Sequence, residues 1–280
     1  MIYLLLTIVC SSTIVLLLKH NSTKGGNPLI MFASNYVIAA AIAVIKFMSD
    51  SDAIVSYPVL GFGAGVGFLF IFTFFVFAKA VEAAGSAMAS ISSRLAIMVP
   101  VLIAIILYGE IPGTSQYIGF GITFLTMLFF YLSLKNGTAK HRKPADYIYL
   151  FGLLFLMGIV DSCFKIFGEE FPAEAKPFFI MTIFLFALFY TLTYVLIKKM
   201  KFEARTAVRG IALGIPNVLT TIFLLKTLSE VEAIIVFPVL NIGIILITAT
   251  AASLIWNEKL NKYAVYALLS GLAAIVLFSI

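Results

Sequence analysis

Long apolar segments, separated by short polar connections, run through the whole 280-residue chain. Each segment has the length of a membrane-spanning helix, about 20 residues. The short alternating strands of a membrane β-barrel are absent from the pattern. The sequence therefore predicts an all-α membrane protein with ten transmembrane helices, at approximately 2–18, 29–48, 59–78, 84–108, 116–134, 147–167, 178–197, 206–226, 232–256 and 263–280.

The two halves of the chain carry similar residues in the same order. The matching pairs are offset by 146, 147 or 148 residues, and they are Tyr3 and Tyr149, Lys19 and Lys165, Lys79 and Lys226, and Glu110 and Glu258. Several pairs at a nearly constant offset indicate duplication. We therefore predict a five-helix half at 1–137, a basic linker at 138–145 and a second five-helix half at 146–280. An odd number of helices per half makes the two copies inverted repeats.

Composition and charge narrow the class of protein. Hydrophobic residues make up 62% of the chain and charged residues only 11%, against about a quarter charged in soluble domains. A soluble enzyme is excluded, and two cysteines in apolar runs exclude a secreted disulfide scaffold. The net charge of +6 is explained by membrane topology and does not indicate a nucleic-acid partner.

The distribution of basic residues predicts the orientation in the membrane. Alternate connections hold thirteen Lys and Arg residues: Lys19, Lys24, Lys79, Lys135, Lys140, Arg142, Lys143, Lys198, Lys199, Lys201, Arg205, Lys259 and Lys262. The opposite side holds Lys46, Lys176 and Lys226, with Lys165 near that end of its segment. The positive-inside rule then places both termini outside a bacterial inner membrane.

Motifs near the third to fifth segments of each half carry a family resemblance. In the first half they are Phe77-Ala78-Lys79-Ala80, Pro100, Leu107-Tyr108-Gly109-Glu110, Gly119 and Gly121, and in the second half Leu224-Leu225-Lys226-Thr227, Pro238, Asn257-Glu258 and Gly271. In this pattern the chain resembles the drug/metabolite transporter superfamily, of the two-domain EamA type. The resemblance implies ten helices and alternating access for a small polar or amphipathic solute. Ser11 stands where small multidrug-resistance relatives carry a glutamate, so that coupling carboxylate is not carried over.

Two ionisable residues lie deep in the apolar segments. Arg94 is near the centre of the fourth segment and shares a broad face with Ser90. An arginine there requires an anion, which is either a protein carboxylate in a permanent strut or a group on the solute. Asp161 could pair with Lys165 one turn away, with Arg94, or with a cationic solute. It is also the candidate for proton coupling.

Neutral polar residues complete the candidate substrate site. Asn217 follows Pro216, and a proline lets a membrane helix open towards a cavity. Asn241 corresponds to Arg94 at the repeat offset, so we expect these two positions to lie close together. The remaining candidates are Ser11, Ser12, Asn35 and Tyr36. The alternative for all of these residues is hydrogen bonding or packing between helices.

We expect a secondary active transporter, an exporter or exchanger, of a small polar or amphipathic metabolite. Arg94 favours an anionic solute, Asp161 equally a cationic one, and both together a zwitterion. We expect no enzymatic activity, cofactor, metal or nucleic-acid partner, and a monomer or homodimer in contact with membrane lipids. The alternative is a membrane scaffold, receptor or lipid-handling protein without solute transport. Glu110 and Glu258, at helix ends, are expected to face water. Gly61, Gly63, Gly65 and Gly67 alternate, which indicates close packing or flexibility of the third helix rather than one shared face.

Overall fold

A computed structural model describes residues 1–84, 86–135, 144–256 and 261–279. Within these ranges the regular structure is α-helical, apart from one 3-10 turn at Ala173–Ala175. The helices are α1 (Ile2–Thr23), α2 (Pro28–Ser49), α3 (Tyr57–Ala84), α4 (Ser86–Leu95), α5 (Met98–Tyr108), α6 (Thr114–Lys135), α7 (Pro144–Glu170), α8 (Lys176–Ile197), α9 (Ala204–Leu228), α10 (Ala233–Trp256) and α11 (Lys262–Ser279). Most of the predicted linker, with Lys140, Arg142 and Lys143, lies outside the described residues, as does Glu258.

The ten predicted segments are helices, and the prediction of an all-α protein is confirmed. The fourth segment differs from expectation because it is broken into α4 and α5 around Ala96 and Ile97. Pro100 explains the break. It has no N–H to donate to the carbonyl of Ala96, and its ring crowds that carbonyl. The N–H of Val99 donates to Ala96 instead, at 3.0 Å.

Many of these helices suit a bilayer. Seven helices in the described part of the chain are long and apolar enough to cross a membrane: Ile2–Thr23, Pro28–Ser49, Tyr57–Phe77, Ile148–Glu170, Ala173–Ile197, Ala204–Leu228 and Ala233–Trp256. Large apolar side chains point away from the protein interior, including Leu5, Ile106 and Leu254. Helices satisfy their own backbone hydrogen bonds, as a hydrocarbon solvent requires. The protein is a multi-pass membrane protein.

The helices form two compact units, each with its own core. The first unit comprises Met1–Ile71 and Ile166–Thr227, and the second comprises Phe72–Lys165 and Leu228–Ile280. Each unit therefore contains residues from both predicted sequence halves. The predicted halves, 1–137 and 146–280, were defined by matching sequence positions and not by packing. That division of the chain stays a prediction.

In the first unit, α3 packs closely on α8 through two glycines. A Cβ atom on Gly63 would meet the side chain of Thr182 at 2.0 Å, and one on Gly67 would meet the carbonyl of Ile183 at 2.8 Å. Gly61 and Gly65, two residues away in each case, have open space around them. The glycines in contact are thus spaced i, i+4 on one helix face.

The same unit brings α9 equally close to α2. A Cβ on Gly210 would meet the carbonyl of Met31 at 2.2 Å, and one on Gly214 would meet the carbonyl of Asn35 at 2.7 Å. Small residues at membrane-helix interfaces allow such close backbone approach. The stacked rings of Phe167 and Phe179, with centroids 4.0 Å apart, fill the core nearby on α7 and α8.

In the second unit, α6 packs along α11. Gly119 lies against the ring of Phe278, where an added Cβ would be 3.1 Å from a ring carbon. Thr126 donates a hydrogen bond of 2.9 Å to the hydroxyl of Ser270. Gly271 lets α11 approach Ile242 of α10. These contacts surround the apolar, strongly buried first half of α10.

Candidate functional site

Arg94 and Asn241 meet in the interior of the second unit. Arg94 is the penultimate residue of α4, just before the break. Its Nη1 donates a hydrogen bond of 3.2 Å to Oδ1 of Asn241. The Asn241 side-chain nitrogen donates to the carbonyl of Phe237 at 3.0 Å, so its oxygen is turned towards Arg94. The expected proximity of these two positions is confirmed.

Asp161 reaches the same place because α7 passes directly across the break. Gly158 has no side chain, and a Cβ there would lie 2.8 Å from the carbonyl of Ala96 and 2.5 Å from the side chain of Val99. Asp161 follows one turn later, and its charge interacts with that of Arg94. The hydroxyl of Ser92 also donates to the carbonyl of Leu150, which ties α4 to α7.

The three side chains form a small polar centre among apolar helices. A guanidinium has five N–H donors in a planar fork, and Asn241 accepts one of them. A carboxylate and a guanidinium buried in the same unit can each bind the opposite charge of a solute. The arrangement is suited to binding an organic anion or a zwitterion.

Lys165, one turn beyond Asp161, forms an ion pair with Glu110. The Lys165 Nζ lies 2.6 Å from Oε1 of Glu110, and the two side chains are only 6% and 7% exposed. The ring of Tyr108 lies 5.3 Å from the same Nζ, measured to its centroid. The sequence offered Asp161 as a partner of Lys165. It did not predict an ion pair with a buried carboxylate from the end of another helix.

Glu110 also caps α10. The N–H groups of Ala233 and Ile234 donate to its two carboxylate oxygens at 3.1 and 2.9 Å. A carboxylate at a helix N-terminus satisfies unpaired N–H groups and the helix dipole. Gly109, with φ of +67°, ends α5 in the left-handed conformation that turns the chain at this point. The expectation that Glu110 faces water is wrong, because its side chain is buried by these contacts.

In the first unit the candidate residues Asn35 and Asn217 contact each other. The Asn217 side-chain nitrogen donates to Oδ1 of Asn35 at 3.1 Å. Gly214, one turn before Asn217, provides the close approach of α9 to α2 that makes this bond possible. Tyr36, the residue after Asn35, is also buried. The centroid of its ring lies 6.4 Å from the ring centroid of Phe184. These groups are neutral, in contrast to the second unit.

The serine candidates are placed differently from one another. Ser12 is buried on α1, and its hydroxyl has no hydrogen-bond partner among the described residues. Nδ2 of Asn35 is likewise buried and unpaired within that part of the chain. Ser11 is half-buried. Ser90 belongs to α4, but its side chain lies outside the described residues.

Sequence reasoning missed three features of the site. They are the helix break before Pro100, the passage of α7 at Gly158, and the ion pair of Glu110 with Lys165. A signal existed for the second: Gly158 stands three residues before Asp161, a carboxylate well inside a predicted span. Proline at position 100 was a signal for the first.

Comparison with known proteins supports the fold and a distant relationship. No model of a known protein family matches the chain. The chain is 27% identical over 199 residues to an uncharacterized protein of Haemophilus influenzae, a match that covers 70% of this chain and 67% of that protein. A protein of known crystal structure superposes with a TM-score of 0.79 at 14% identity, over 99% of this chain and 94% of the other. The chain is a distant homologue of the first protein and shares the fold of the second.

Proposed function

We propose that this protein is a secondary active transporter, an exporter or exchanger, of a small polar or amphipathic metabolite. The observation that carries the proposal is the polar centre of Arg94, Asn241 and Asp161 beside a broken helix. Ionisable groups inside membrane proteins are costly and mark solute or ion pathways. Interrupted helices commonly form the substrate sites of secondary transporters.

Paired glycine contacts support the inverted repeat. Gly63 and Gly67 on α3 correspond to Gly210 and Gly214 on α9 at an offset of 147 residues, the offset that relates the two sequence halves. The first pair packs on α8 and the second on α2, the second helix of the opposite half in each case. Equivalent residues thus make equivalent contacts. Two inverted copies can exchange conformations and expose one site to alternate sides of the membrane.

The charge distribution supports the orientation that we propose. Thirteen basic residues in the connections of one side, against few on the other, favour an orientation with both termini outside a bacterial inner membrane. Labelling of a cysteine introduced at position 140 tests this orientation. We expect protection from a membrane-impermeant reagent in intact cells and labelling after permeabilisation.

Substitution of Arg94 tests the transport function. A metabolite-resolved uptake and efflux screen in proteoliposomes identifies the solutes that the wild-type protein moves. We expect Arg94→Ala to abolish that transport, and Arg94→Lys to restore little of it because a point charge does not replace the bidentate fork. Arg205→Ala, at the exposed start of α9, is the matched control and should transport normally.

The outcomes separate the alternatives. Wild-type transport by a folded Arg94→Ala variant would contradict a solute-binding role for this residue. Loss of folding in both Arg94 variants would instead support the permanent strut. Absence of transport for every solute in the screen would favour a scaffold or receptor.

A further inference from the structure

A cavity of about 270 Å³ lies in the first unit, separate from the residues of the polar centre. It is formed by the end of α2, the 3-10 turn, the start of α8 and the end of α9. Its charged lining consists of Lys46, Asp50, Glu174, Lys176 and Lys226. The volume is slightly below the roughly 300–1,000 Å³ of ordinary ligand pockets, which suits a small metabolite.

The three lysines have no topological reason to be on this side. The positive-inside rule explains the basic residues in the connections assigned to the inside. It does not explain Lys46, Lys176 and Lys226, which lie at helix ends assigned to the outside. They come from three different helices and are far apart in sequence. All three line the same cavity. Their convergence indicates a local function for positive charge.

The electrostatics of the cavity favour an anion. Lys176 is the first residue of α8, at the positive end of the helix dipole, where a cation is disfavoured. The negative charge of Glu174 and the like charge of Lys226 both act on Lys176, and the effect of Glu174 is the larger. In the lining as a whole three lysines face two carboxylates, which leaves one positive charge in excess. The Lys46 Nζ lies 4.0 Å from Oδ2 of Asp50, and both side chains are more than a third exposed. An ion pair this exposed is weak.

Lys226 is held in place by an aromatic ring. Its Nζ lies 4.9 Å from the centroid of Tyr3, on α1 of the same unit. A cation–π contact of this kind restrains a lysine without neutralising its charge. Lys226 is therefore positioned at the edge of the cavity.

The remaining wall of the cavity is apolar. It consists of Ala173, Pro177, Ile180, Ile222 and Leu225. A positive rim beside an aliphatic wall matches a molecule that carries an anionic group on a short apolar body. A simple inorganic anion would leave the aliphatic wall without a contact.

We propose that this cavity binds small amphipathic carboxylates, with the carboxylate at Lys176 and Lys226 and the apolar body against Ile222 and Leu225. The site is a docking position for the transported solute on the side assigned to the outside. This inference rests on the proposed function in one respect, since a docking position presumes a solute that is moved.

A binding measurement on the purified protein in lipid nanodiscs tests the proposal. The probe is N-acetyl-leucine, which has a carboxylate and an aliphatic body, and its neutral partner is N-acetyl-leucinamide. Binding is followed by saturation-transfer NMR and titration calorimetry. We expect saturable binding of the carboxylate and at least roughly tenfold weaker binding of the amide, because a hydrogen-bonded charge is lost.

Lysine variants assign the binding to this cavity. Lys176→Gln and Lys226→Gln are each expected to weaken N-acetyl-leucine binding roughly tenfold. The matched control is Lys198→Gln, because Lys198 also lies over a tyrosine ring, at 6.0 Å from the centroid of Tyr194, but does not line the cavity. It should bind as the wild type does. Thermal unfolding checks each variant, and Lys46→Gln replaces any that fails to fold.

Every outcome bears on the proposal. Absence of binding, equal binding of the amide, or equal binding by the cavity variants and Lys198→Gln would overturn it. Arg94→Ala separates this inference from the transport function. It is expected to keep the part of N-acetyl-leucine binding that depends on Lys176 and Lys226, while transport is lost. Retained Arg94-dependent transport without cavity binding would overturn the docking site and leave the transporter intact.

Discussion

The two units of this protein differ in how they treat polar groups in their interiors. The second unit contains Arg94, Asp161, Glu110 and Lys165, all within apolar surroundings. The candidate residues of the first unit are neutral: the side-chain amides of Asn35 and Asn217 form a hydrogen bond. Both units use glycines to bring helices together. The contrast therefore lies in charge and not in packing.

This contrast indicates a division of roles. Charges inside a membrane protein are retained where they are paired and used, whereas amides and close-packed glycines serve helix association. Under the proposed function, the second unit recognises the charge of the solute. The amides and glycines of the first unit support helix packing, and five of its charged residues line the cavity.

The sharpest test of this contrast is Asp161→Asn, which has the largest expected effect. If Asp161 carries the coupling proton, the variant loses accumulation driven by a pH gradient and keeps solute exchange, because exchange needs no net proton movement. Proteoliposomes with and without an imposed gradient measure both activities. Asp52→Asn, at an exposed position, is the control. Gradient-driven accumulation in Asp161→Asn would remove the coupling role.

The second test concerns the buried ion pair. Glu110→Ala leaves Lys165 and the N-terminus of α10 without their carboxylate, and loss of one member of a buried pair costs about 3–5 kcal/mol. Adding Lys165→Met should recover the part of that free energy of unfolding that comes from the unpaired charge, but not the part lost with the cap of α10. Denaturant titration in detergent micelles measures it, with exposed Glu230→Ala as the control. A loss below about 1 kcal/mol, the scale of an exposed pair, would show that the pair is not desolvated.

The third test addresses packing in the first unit. Gly67→Ala places a methyl group against the carbonyl of Ile183, and such overpacking costs about 1–3 kcal/mol. Gly65→Ala enters open space in the same helix and should stabilise the protein by about 0.5–1 kcal/mol. The same unfolding titration compares them. Changes of equal sign would contradict the close contact of α3 with α8.

The smallest effect is expected at Glu203, outside the membrane spans. The hydroxyl of Thr206, the backbone N–H of Asn27 and the charge of Arg209 lower the pKa of this carboxyl from its ordinary 4.5. A lowered folded-state pKa adds stability above the unfolded pKa, and this stability is lost as the pH falls through the folded value. Glu203→Gln should therefore lower the unfolding midpoint slightly at about pH 7, and this difference should shrink as the pH falls through the folded-state pKa of Glu203.

A lower midpoint for Glu203→Gln that persisted at acid pH would contradict this account. It would assign the effect to the shape of the side chain rather than to its charge. Neutral Gln keeps an oxygen that can accept from Thr206, so the comparison isolates the negative charge.

The helical fold could be predicted from the sequence because hydropathy alone marks a membrane span. The meeting of Arg94 with Asn241 was also predictable, since the offset of 147 residues relates the two positions. The first inference depends on the length of the apolar segments and the second on the repeat offset, and both can be read from one sequence. They required no knowledge of which helices are neighbours.

The rest of the site depends on contacts between helices distant in sequence. Lys165 has Asp161 one turn away, yet its ion pair is with Glu110 from the end of α5. Local spacing favoured the nearer carboxylate, but helix packing decides which groups share a desolvated space. The glycine pattern of α3 was ambiguous for the same reason. Which of its alternating glycines touch α8 depends on the orientation of the helix.

The connections of Glu110 have a consequence for biosynthesis. Its carboxylate is made well before Lys165, and the N–H of Ala233 follows 123 residues after it. During synthesis the ribosome therefore delivers a carboxylate to the membrane before any of its partners exists. Insertion of α7 provides the counter-charge, and insertion of α10 completes the cap. A nascent chain arrested between these two helices would hold the ion pair but not the cap, and it would depend on the insertion machinery to shelter that end of α5.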